Sequence, residues 1–203
     1  MGDLILVRHG ETEWTLTGQH TSWTDLPLTR HGEEQAKSLA PFFAGRSFAQ
    51  VLTSPLGRAV RTAELAGLSG PRIDPDLHEW DYGGYEGVTT RAIHRARPGW
   101  VLWDDGVPSG PDGHPGESPH EVGVRADRVL SRVDAALCDH PGDVVLVAHA
   151  HFLRVLTARR LGLPPGSGRL FQLSTGTVSR LSTEHGDPVI AAWNQPGTSV
   201  TVH

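Results

Sequence analysis

Short apolar runs alternate with amphipathic stretches along this chain, and the alternation predicts strands that alternate with helices. The runs at residues 4–7 and 144–148 are apolar throughout, which is typical of strands buried on both faces of a sheet. Another strand is predicted over 48–53. The C-terminal part predicts three more strands, over 170–173, 177–182 and 189–193.

Helical spacing of apolar residues, together with Ser, Thr, Pro and Gly at the expected ends, predicts helices between these strands. One helix is predicted over 29–45, and Pro41 either kinks it or ends it early. A second is predicted over 54–66, with Ser54 as its N-cap and Pro55 in its first turn.

Three further helices are predicted in the second half of the chain. Ser118 and Glu121 form a capping box that begins a long helix ending near residue 137. Thr89 or Thr90 caps a short helix that ends before Pro98, and another helix covers 152–161. The pattern predicts an α/β fold with a mainly parallel sheet, and a single domain over residues 1–203.

Composition narrows the class of protein. The chain of 203 residues has a net charge of -5, which argues against a nucleic-acid-binding protein. No apolar run approaches the roughly 18 residues that a membrane span needs. The single cysteine, Cys138, cannot form an intramolecular disulfide, so we expect a reduced, cytoplasmic protein with no membrane partner. A homodimer is compatible with the sequence, which leaves the oligomeric state open.

Arginine and histidine side chains follow three of the predicted strands. Arg8 and His9 end the first strand, Arg58 lies just beyond the second, and His149 ends the strand at 144–148. In α/β sheets, ligands bind beyond the carboxyl ends of the strands. These four residues therefore predict an anion pocket that contains a nucleophile or base.

Two other segments contain groups that could do chemistry. Residues 74–87 are dense in carboxylates and aromatic residues, and a carboxyl group in such surroundings can act as a general acid; a solvated surface loop is the alternative. His149 and His151 have the spacing of some metal ligands, but this pair begins a helix and no carboxylates complete a metal shell.

Together, these segments resemble the histidine phosphatase superfamily, also called phosphoglycerate mutase-like. The resemblance rests on RHGET at 8–12, SPLGRA at 54–59, LHE at 77–79 and VAH at 147–149. The segment EWDYGGYEG at 79–87 is similar to the branch of sedoheptulose-bisphosphatase-like enzymes and broad-specificity bacterial acid phosphatases. The resemblance implies a three-layer sandwich, with the sheet flanked by helices.

The resemblance also implies roles for the matching residues. His9 would accept the phosphoryl group, and Glu79 would donate the proton. Arg8, Arg58 and His149 would bind the phosphate. The residues expected to border the substrate are Thr15, Thr21, Ser22, Tyr82 and the backbone N–H of Ala150.

Two residues depart from the family pattern. Thr15 stands where many members have Asn, and Ala150 stands where most have Gly. Ala150 would carry strain if the position required a positive φ. The loop at 107–116 looks longer than the branch pattern, so its conformation over the pocket is open.

The expected chemistry needs neither metal nor cofactor. A neutral His9 imidazole attacks the phosphorus while its other ring nitrogen donates to a backbone carbonyl. Arg8, Arg58 and a protonated His149 hold the phosphate oxygens, and this charge takes the place of a metal ion. Glu79 protonates the leaving alkoxide and then activates the water.

The sequence thus predicts a metal-independent phosphomonoesterase acting on sugar phosphates or similar small esters through a phosphohistidine. The main alternative is a cofactor-dependent phosphoglycerate mutase, which needs cations for the substrate carboxylate. Arg91, Arg95 and Arg97 are the candidates for that role, but they are spread along a short predicted helix. Less favoured alternatives are a metal hydrolase that uses His149 and His151, and a non-catalytic phosphoryl-binding module.

Overall fold

The computed structural model describes residues 2–111 and 113–197, and six strands in it form one sheet. The order is β3-β2-β4-β1-β5-β6; the first four strands are parallel, while β5 and β6 are antiparallel to their neighbours. The strands are β1 (Leu4–Arg8), β2 (Phe48–Thr53), β3 (Arg72–Ile73), β4 (Asp143–Ala148), β5 (Thr177–Glu184) and β6 (Asp187–Pro196).

Helices cover both faces of this sheet. The α-helices are α1 (Glu13–Thr17), α2 (Arg30–Ser38), α3 (Ala40–Phe43), α4 (Gly57–Leu65), α5 (Thr90–Ala96), α6 (Leu102–Asp105), α7 (Pro119–Asp139) and α8 (Ala150–Arg160). Three 3₁₀ segments, Pro75–Leu77, Gly83–Tyr85 and Pro165–Leu170, complete the described elements.

The alternation of side chains along the central strands divides the core into two layers. In β1, Leu4 and Leu6 pack on the face covered by α7 and α8, whereas Ile5 and Val7 pack on the face covered by α2, α3 and α4. All four are at most 1% exposed. The predicted α/β three-layer sandwich with a mainly parallel sheet is therefore confirmed.

One local prediction is confirmed, one is wrong and one strand was missed. The helix at 29–45 ends early, as expected for Pro41: α2 stops at Ser38, and Pro41, which lacks an N–H, lies in the first turn of a separate helix, α3. Residues 170–173 do not form a strand, since a 3₁₀ segment runs up to Leu170. The short strand β3 was not predicted.

The start of α4 was also misplaced. Leu56, not Ser54, is its N-cap. The hydroxyl of Ser54 lies 2.7 Å from Nε2 of His149 and also accepts from the N–H of Leu56 at 3.3 Å, so this side chain contacts both the site and the start of the helix. By contrast, the predicted caps of α5 and α7 at Thr89 and Ser118 are confirmed.

The described elements surround one sheet, and the single domain over residues 1–203 stays a prediction. Met1, Asp112 and residues 198–203 of the predicted 1–203 domain lie outside the described residues. None of the helices between residues 2 and 197, leaving out Asp112, is both long enough and apolar enough to cross a membrane.

Candidate active site

A cavity of about 200 Å³ opens beyond the carboxyl end of β1. Its lining contains side chains from the loop after β1, the loop after β3 and the start of α8; these residues are Arg8, His9, Trp14, Thr15, Gly18, Gln19, His20, Thr21, Glu79, Tyr82, Thr90, Ala150 and His151. A larger concavity of about 1150 Å³ lies near the beginning of β2 and contains none of the predicted site residues.

Strand register brings the candidate side chains together. Arg8 pairs with Ala148 in the parallel β1–β4 ladder, so His9 and His149 leave the sheet side by side. The backbone N–H of His9 donates to the carbonyl of Ala148 at 3.0 Å, and the two imidazole centroids are 5.0 Å apart. The predicted meeting of strand ends is thus present in the structure.

One nitrogen of His9 is anchored and the other is not. Nδ1–H donates to the carbonyl of Gly10 at 2.7 Å, which leaves the lone pair on Nε2. Gly10 can lie here because it has no side chain: a Cβ would stand 2.3 Å from the carbonyl oxygen of Gly32. Burial and, secondarily, the charges of Arg58 and Arg8 hold the pKa of His9 well below 6.5. The ring is therefore a neutral base.

Arg8 has free hydrogen-bonding capacity. Its Nη1 donates to the carbonyl of Leu173 at 2.5 Å, but its buried Nε has no partner among the described residues. Burial lowers the pKa of Arg8 to about 10, against the opposing effect of Glu79, so the side chain remains a cation at neutral pH. A buried guanidinium with an unused N–H is suited to an anion.

Arg58, in contrast, is fully engaged with the protein. Its Nη1 and Nη2 donate to the carbonyls of Thr24 and Ser22, both at 2.9 Å, and Nη2 also reaches Thr21 at 3.3 Å. Its Nε donates to Nδ1 of His149 at 3.3 Å. Neither Arg58 nor His149 is among the residues that line the cavity. Phosphate binding by Arg58 stays a prediction, which requires it to exchange one of these partners.

His149 is a neutral imidazole in this arrangement. Because Nδ1 accepts from Arg58, Nε2 must carry the proton, and it donates to Oγ of Ser54 at 2.7 Å. Burial and the adjacent Arg58 charge lower its pKa well below 6.5. The expectation of a protonated His149 does not fit this geometry, since an imidazolium would place a second proton against the Arg58 guanidinium.

Glu79 lies at the cavity with its carboxylate fixed by backbone donors. Oε1 accepts from the N–H groups of Trp80 and Phe152 at 2.9 and 2.8 Å, and Oε2 accepts from the N–H of His151 at 3.0 Å. Two of these donors belong to the first turn of α8, where unpaired N–H groups and the helix dipole favour a carboxylate. Glu79 is 4% exposed.

The predicted substrate-bordering residues divide into two groups. Thr15, Thr21, Tyr82 and Ala150 line the cavity, whereas Ser22 does not. The backbone N–H of Ser22 is held by the Glu86 carboxylate.

The two departures from the family pattern have simple structural accounts. The Thr15 hydroxyl accepts from the N–H of Thr12 at 2.9 Å and donates to its carbonyl at 2.8 Å, so it closes the N-terminus of α1. Ala150 begins α8 and is not among the described non-glycine residues with positive φ, which are His185 and Asn194. The strain considered for Ala150 is therefore absent.

The spacing of His149 and His151 does not create a metal site. His149 bonds Ser54 and Arg58, whereas Nδ1 of His151 lies 2.6 Å from the Tyr82 hydroxyl. Within residues 2–111 and 113–197, no group of three or more His, Cys, Asp or Glu side chains is arranged to hold a metal ion.

Several cavity residues were not predicted from the sequence. Trp14, Gln19, His20 and Thr90 line it, as does His151, which we considered only as a metal ligand. The segment that carries Trp14 and His20 directly follows the RHGET motif, and this proximity was the available signal. Thr90 reaches the cavity only through tertiary packing, and no motif around it signals that position.

Comparison with known proteins agrees with this geometry. The family model described as histidine phosphatase superfamily (branch 1) matches residues 4–196. An acid phosphatase of Mycobacterium tuberculosis is 38% identical over 187 residues, covering 90% of this chain and 87% of that protein. Sedoheptulose 1,7-bisphosphatase of Saccharomyces cerevisiae is 35% identical, covering 78% and 67%.

One further relative is named as a mutase, and one solved structure has a similar fold. A probable phosphoglycerate mutase GpmB of Yersinia enterocolitica is 32% identical, covering 100% of this chain and 95% of that protein. The solved structure of the open reading frame Rv3214 from Mycobacterium tuberculosis superposes with a TM-score of 0.87 at 34% identity, covering 97% of this chain and 98% of that one.

Proposed function

This chain belongs to the histidine phosphatase superfamily and is a phosphatase, and we propose that it hydrolyses small phosphate monoesters through a phosphohistidine on His9, without a metal ion. The observation that carries the proposal is the state of His9. Nδ1 is committed to the Gly10 carbonyl, so the lone pair of Nε2 is available in the cavity that Arg8 also lines.

The reaction follows from the free groups of the cavity. Nε2 of His9 forms a bond to phosphorus as the bond to the ester oxygen breaks. Arg8 stabilises the charge on the equatorial oxygens through Nη2, which makes no hydrogen bond to the described residues and is not among the buried unpaired atoms. Glu79 enters the reaction in its protonated form and gives that proton to the leaving oxygen. As the carboxylate, it then takes a proton from the water that cleaves phosphohistidine.

Arg58 and His149 do not line the cavity, and we propose that they act through the residues that do. Arg58 holds three carbonyls of the segment 21–24. Its charge also helps to keep His9 neutral, and a neutral imidazole is the nucleophilic form. We assign both residues to positioning and electrostatics in the state that the structure describes.

The cavity favours a small substrate with one phosphate. A volume of about 200 Å³ is below the roughly 300–1,000 Å³ of sites for drug-sized ligands. Among the described residues that line it, Arg8 is the one cation. Sugar phosphates with a neutral leaving group fit this lining, and a second phosphate or a carboxylate lacks a partner.

The mutase alternative is weakened by the same observation. Arg91, Arg95 and Arg97 of the segment around α5 are exposed, and the cavity lining contains none of them. The GpmB relatives bear the name probable phosphoglycerate mutase, so mutase activity is the alternative to test. Mutase turnover of 3-phosphoglycerate with catalytic 2,3-bisphosphoglycerate, measured with an enolase-coupled assay, should stay well below phosphate release; a faster mutase rate would overturn the proposal.

We propose a small phosphorylated metabolite as the substrate and assign no role to nucleic acid or membrane partners. The predicted cofactor independence, homodimer and cytoplasmic location stay predictions. EDTA should leave the rate of phosphate release unchanged, and a large loss restored by zinc or manganese would contradict metal independence.

Trapping the intermediate tests the proposal directly. Wild-type protein mixed with substrate and quenched in alkali should carry an acid-labile, base-stable phosphoryl group on His9 by mass analysis. His9→Ala should lose both the adduct and turnover. His31→Ala is a matched control, because His31 is exposed on α2, and it should retain both. Full activity of His9→Ala would end this mechanism.

A further inference from the structure

Three polar aromatic side chains line the catalytic cavity and take no part in the phosphoryl transfer described above. They are His20, Tyr82 and His151. Their rings form one continuous wall: the centroid of Tyr82 lies 4.7 Å from that of His20 and 5.9 Å from that of His151. A wall of hydrogen-bonding rings in a reaction cavity is a candidate surface for the leaving group.

The hydrogen bonds behind this wall fix which atoms it presents. Nδ1–H of His20 donates to the Val88 carbonyl at 2.6 Å, so its Nε2 is an acceptor. The Tyr82 hydroxyl lies 2.6 Å from Nδ1 of His151, which is its one partner among the described residues. Burial raises the pKa of Tyr82 well above 10, so the phenol keeps its proton. Nδ1 of His151 is the one described acceptor for that proton, and we therefore assign the hydroxyl as the donor of this bond.

His151 therefore carries its own proton on Nε2. Burial lowers its pKa well below 6.5, so the ring is neutral and has a single N–H. Nε2 makes no hydrogen bond to a described residue and is not among the buried unpaired atoms, and His151 lines the cavity. This N–H is a donor without a protein partner.

The position of the His151 ring is also held on its other sides. Trp103 and Trp80 pack edge to face against it, with centroids at 5.2 and 6.4 Å. Its backbone N–H bonds Oε2 of Glu79 at 3.0 Å. The same residue thus orients the proton-transferring carboxylate with its backbone and presents a donor with its ring.

We propose that His151 is a specificity-determining residue whose Nε2–H donates to a hydroxyl oxygen of the leaving group. Tyr82 is then the positioning residue, which holds His151 in the tautomer that can do so. The inference rests on the proposed phosphatase function. It specifies the substrate class: esters with a free hydroxyl near the phosphate are preferred to plain alkyl esters. A neutral donor matches a neutral hydroxyl, whereas a carboxylate is better matched by a cation.

A matched pair of substrates isolates this contact. Glycerol 1-phosphate and propyl phosphate have the same carbon chain and differ in two hydroxyls. The wild type should prefer glycerol 1-phosphate in kcat/KM by about tenfold or more, as expected for a site whose buried donor is left unpaired by the plain ester.

Two variants of His151 distinguish the role of Nδ1 from that of Nε2. In His151→Asn, the amide can replace Nδ1 as partner of Tyr82 but cannot reach the place of Nε2. In His151→Gln, the longer amide can supply a donor near Nε2. We expect Asn to lower kcat/KM for glycerol 1-phosphate about tenfold, mainly through KM, with propyl phosphate changed less than twofold. Gln should lose less than threefold, and it controls for the altered packing.

Tyr82→Phe provides a second route that keeps the aromatic packing. Without the phenol the tautomer of His151 is no longer fixed, so the preference for glycerol 1-phosphate should shrink. The proposal is overturned if Asn lowers both substrates equally, or neither. It is also overturned if Tyr82→Phe leaves the preference unchanged.

Failure of the underlying function would look different. In that case the wild type would release phosphate from neither ester and form no phosphohistidine. If the wild type forms the phosphohistidine and turns over both esters at equal rates, the phosphatase function stands and the role of His151 falls.

Discussion

Two Arg–His pairs, Arg8 with His9 and Arg58 with His149, meet at the strand ends. They differ in how many of their nitrogens are free of hydrogen bonds to the protein. Arg8 and His9 line the cavity, and Nη2 of Arg8 and Nε2 of His9 make no hydrogen bond to the described residues. Arg58 and His149 contain the same groups, but their nitrogens are bonded to backbone carbonyls, to each other and to Ser54. Residue type alone therefore does not identify a reactive group; unused hydrogen-bonding capacity facing a cavity does.

The difference has a physical cause. A buried polar group without a partner costs about 1–3 kcal/mol, and Arg8 retains such an atom in a folded protein. Unsatisfied groups of this kind concentrate where a ligand completes them. The saturated pair instead stabilises the segment 21–24 and the ring of His149, so the two pairs should respond in opposite ways to mutation.

The largest expected effect is on the cavity pair. Arg8→Met removes the donor aimed at the developing charge and should lower kcat/KM by about 10²–10³-fold. The temperature of unfolding should change little, because the lost bond to the Leu173 carbonyl is offset by removal of a buried charge. Arg61→Met is the control, since Arg61 is exposed on α4. If Arg8→Met instead loses stability with little loss of rate, Arg8 has a structural role like that of Arg58.

Arg58→Met should show the reverse pattern. It leaves the carbonyls of Thr24 and Ser22 without their donor, and each buried acceptor left unpaired costs about 1–3 kcal/mol. Chemical denaturation should show this fall in the free energy of unfolding. If the variant keeps its stability and loses activity, Arg58 turns to the phosphate during turnover, and the predicted phosphate-binding role is restored.

The pH dependence of kcat/KM tests whether the charge of Arg58 keeps His9 neutral. Burial and the charge of Arg58 lower the pKa of His9 well below 6.5, so the nucleophile stays neutral as the pH falls through 6.5. Wild-type kcat/KM should therefore lack an acid limb near pH 6.5. In Arg58→Met the pKa of His9 should rise, and the acid limb should move to higher pH. Arg58→Lys keeps the charge and should retain more of the wild-type profile; identical profiles for Met and Lys would show that the charge is not the cause.

The sequence predicted the fold and about half of the residues that line the cavity. It did not predict which of the clustered side chains keep free hydrogen-bonding groups. Strand-end position placed Arg8, His9, Arg58 and His149 in one cluster, because apolar runs and parallel register are local properties of the chain. Which nitrogens remain free depends on the carbonyls of residues 21–24, whose arrangement is tertiary. Hydrogen-bond saturation therefore could not be predicted from motifs, and neither could the protonation state of His149.

Helix boundaries near the site failed for a related reason. Ser54 followed by Pro55 has the composition of a helix start, yet the hydroxyl of Ser54 bonds the His149 ring. Thr15 shows the opposite case, where a residue expected to border substrate closes a capping box with Thr12. Short polar side chains can satisfy local backbone or distant partners, and only the packed structure decides between them.

The smallest expected effect concerns stability against pH. In the unfolded chain His149 has an ordinary pKa near 6.5, whereas in the folded protein burial and Arg58 lower its pKa well below that value. As the pH falls below 6.5, the unfolded state takes up a proton that the folded state does not, so the free energy of unfolding falls by about 1.4 kcal/mol per pH unit for this group. The loss continues until the folded pKa is reached.

Replacing the ring removes this contribution. His149→Asn keeps an acceptor for Arg58 Nε and should flatten the decline in unfolding free energy between pH 6.5 and 5 by about 1.4 kcal/mol per pH unit, measured by urea denaturation at each pH. His31→Asn, at an exposed position, should leave the slope unchanged. Because the variant is itself less stable, the slope rather than the absolute stability is the readout. A slope that stays at the wild-type value would mean that His149 is protonated in the folded protein, and the saturated pair would then be a charged one.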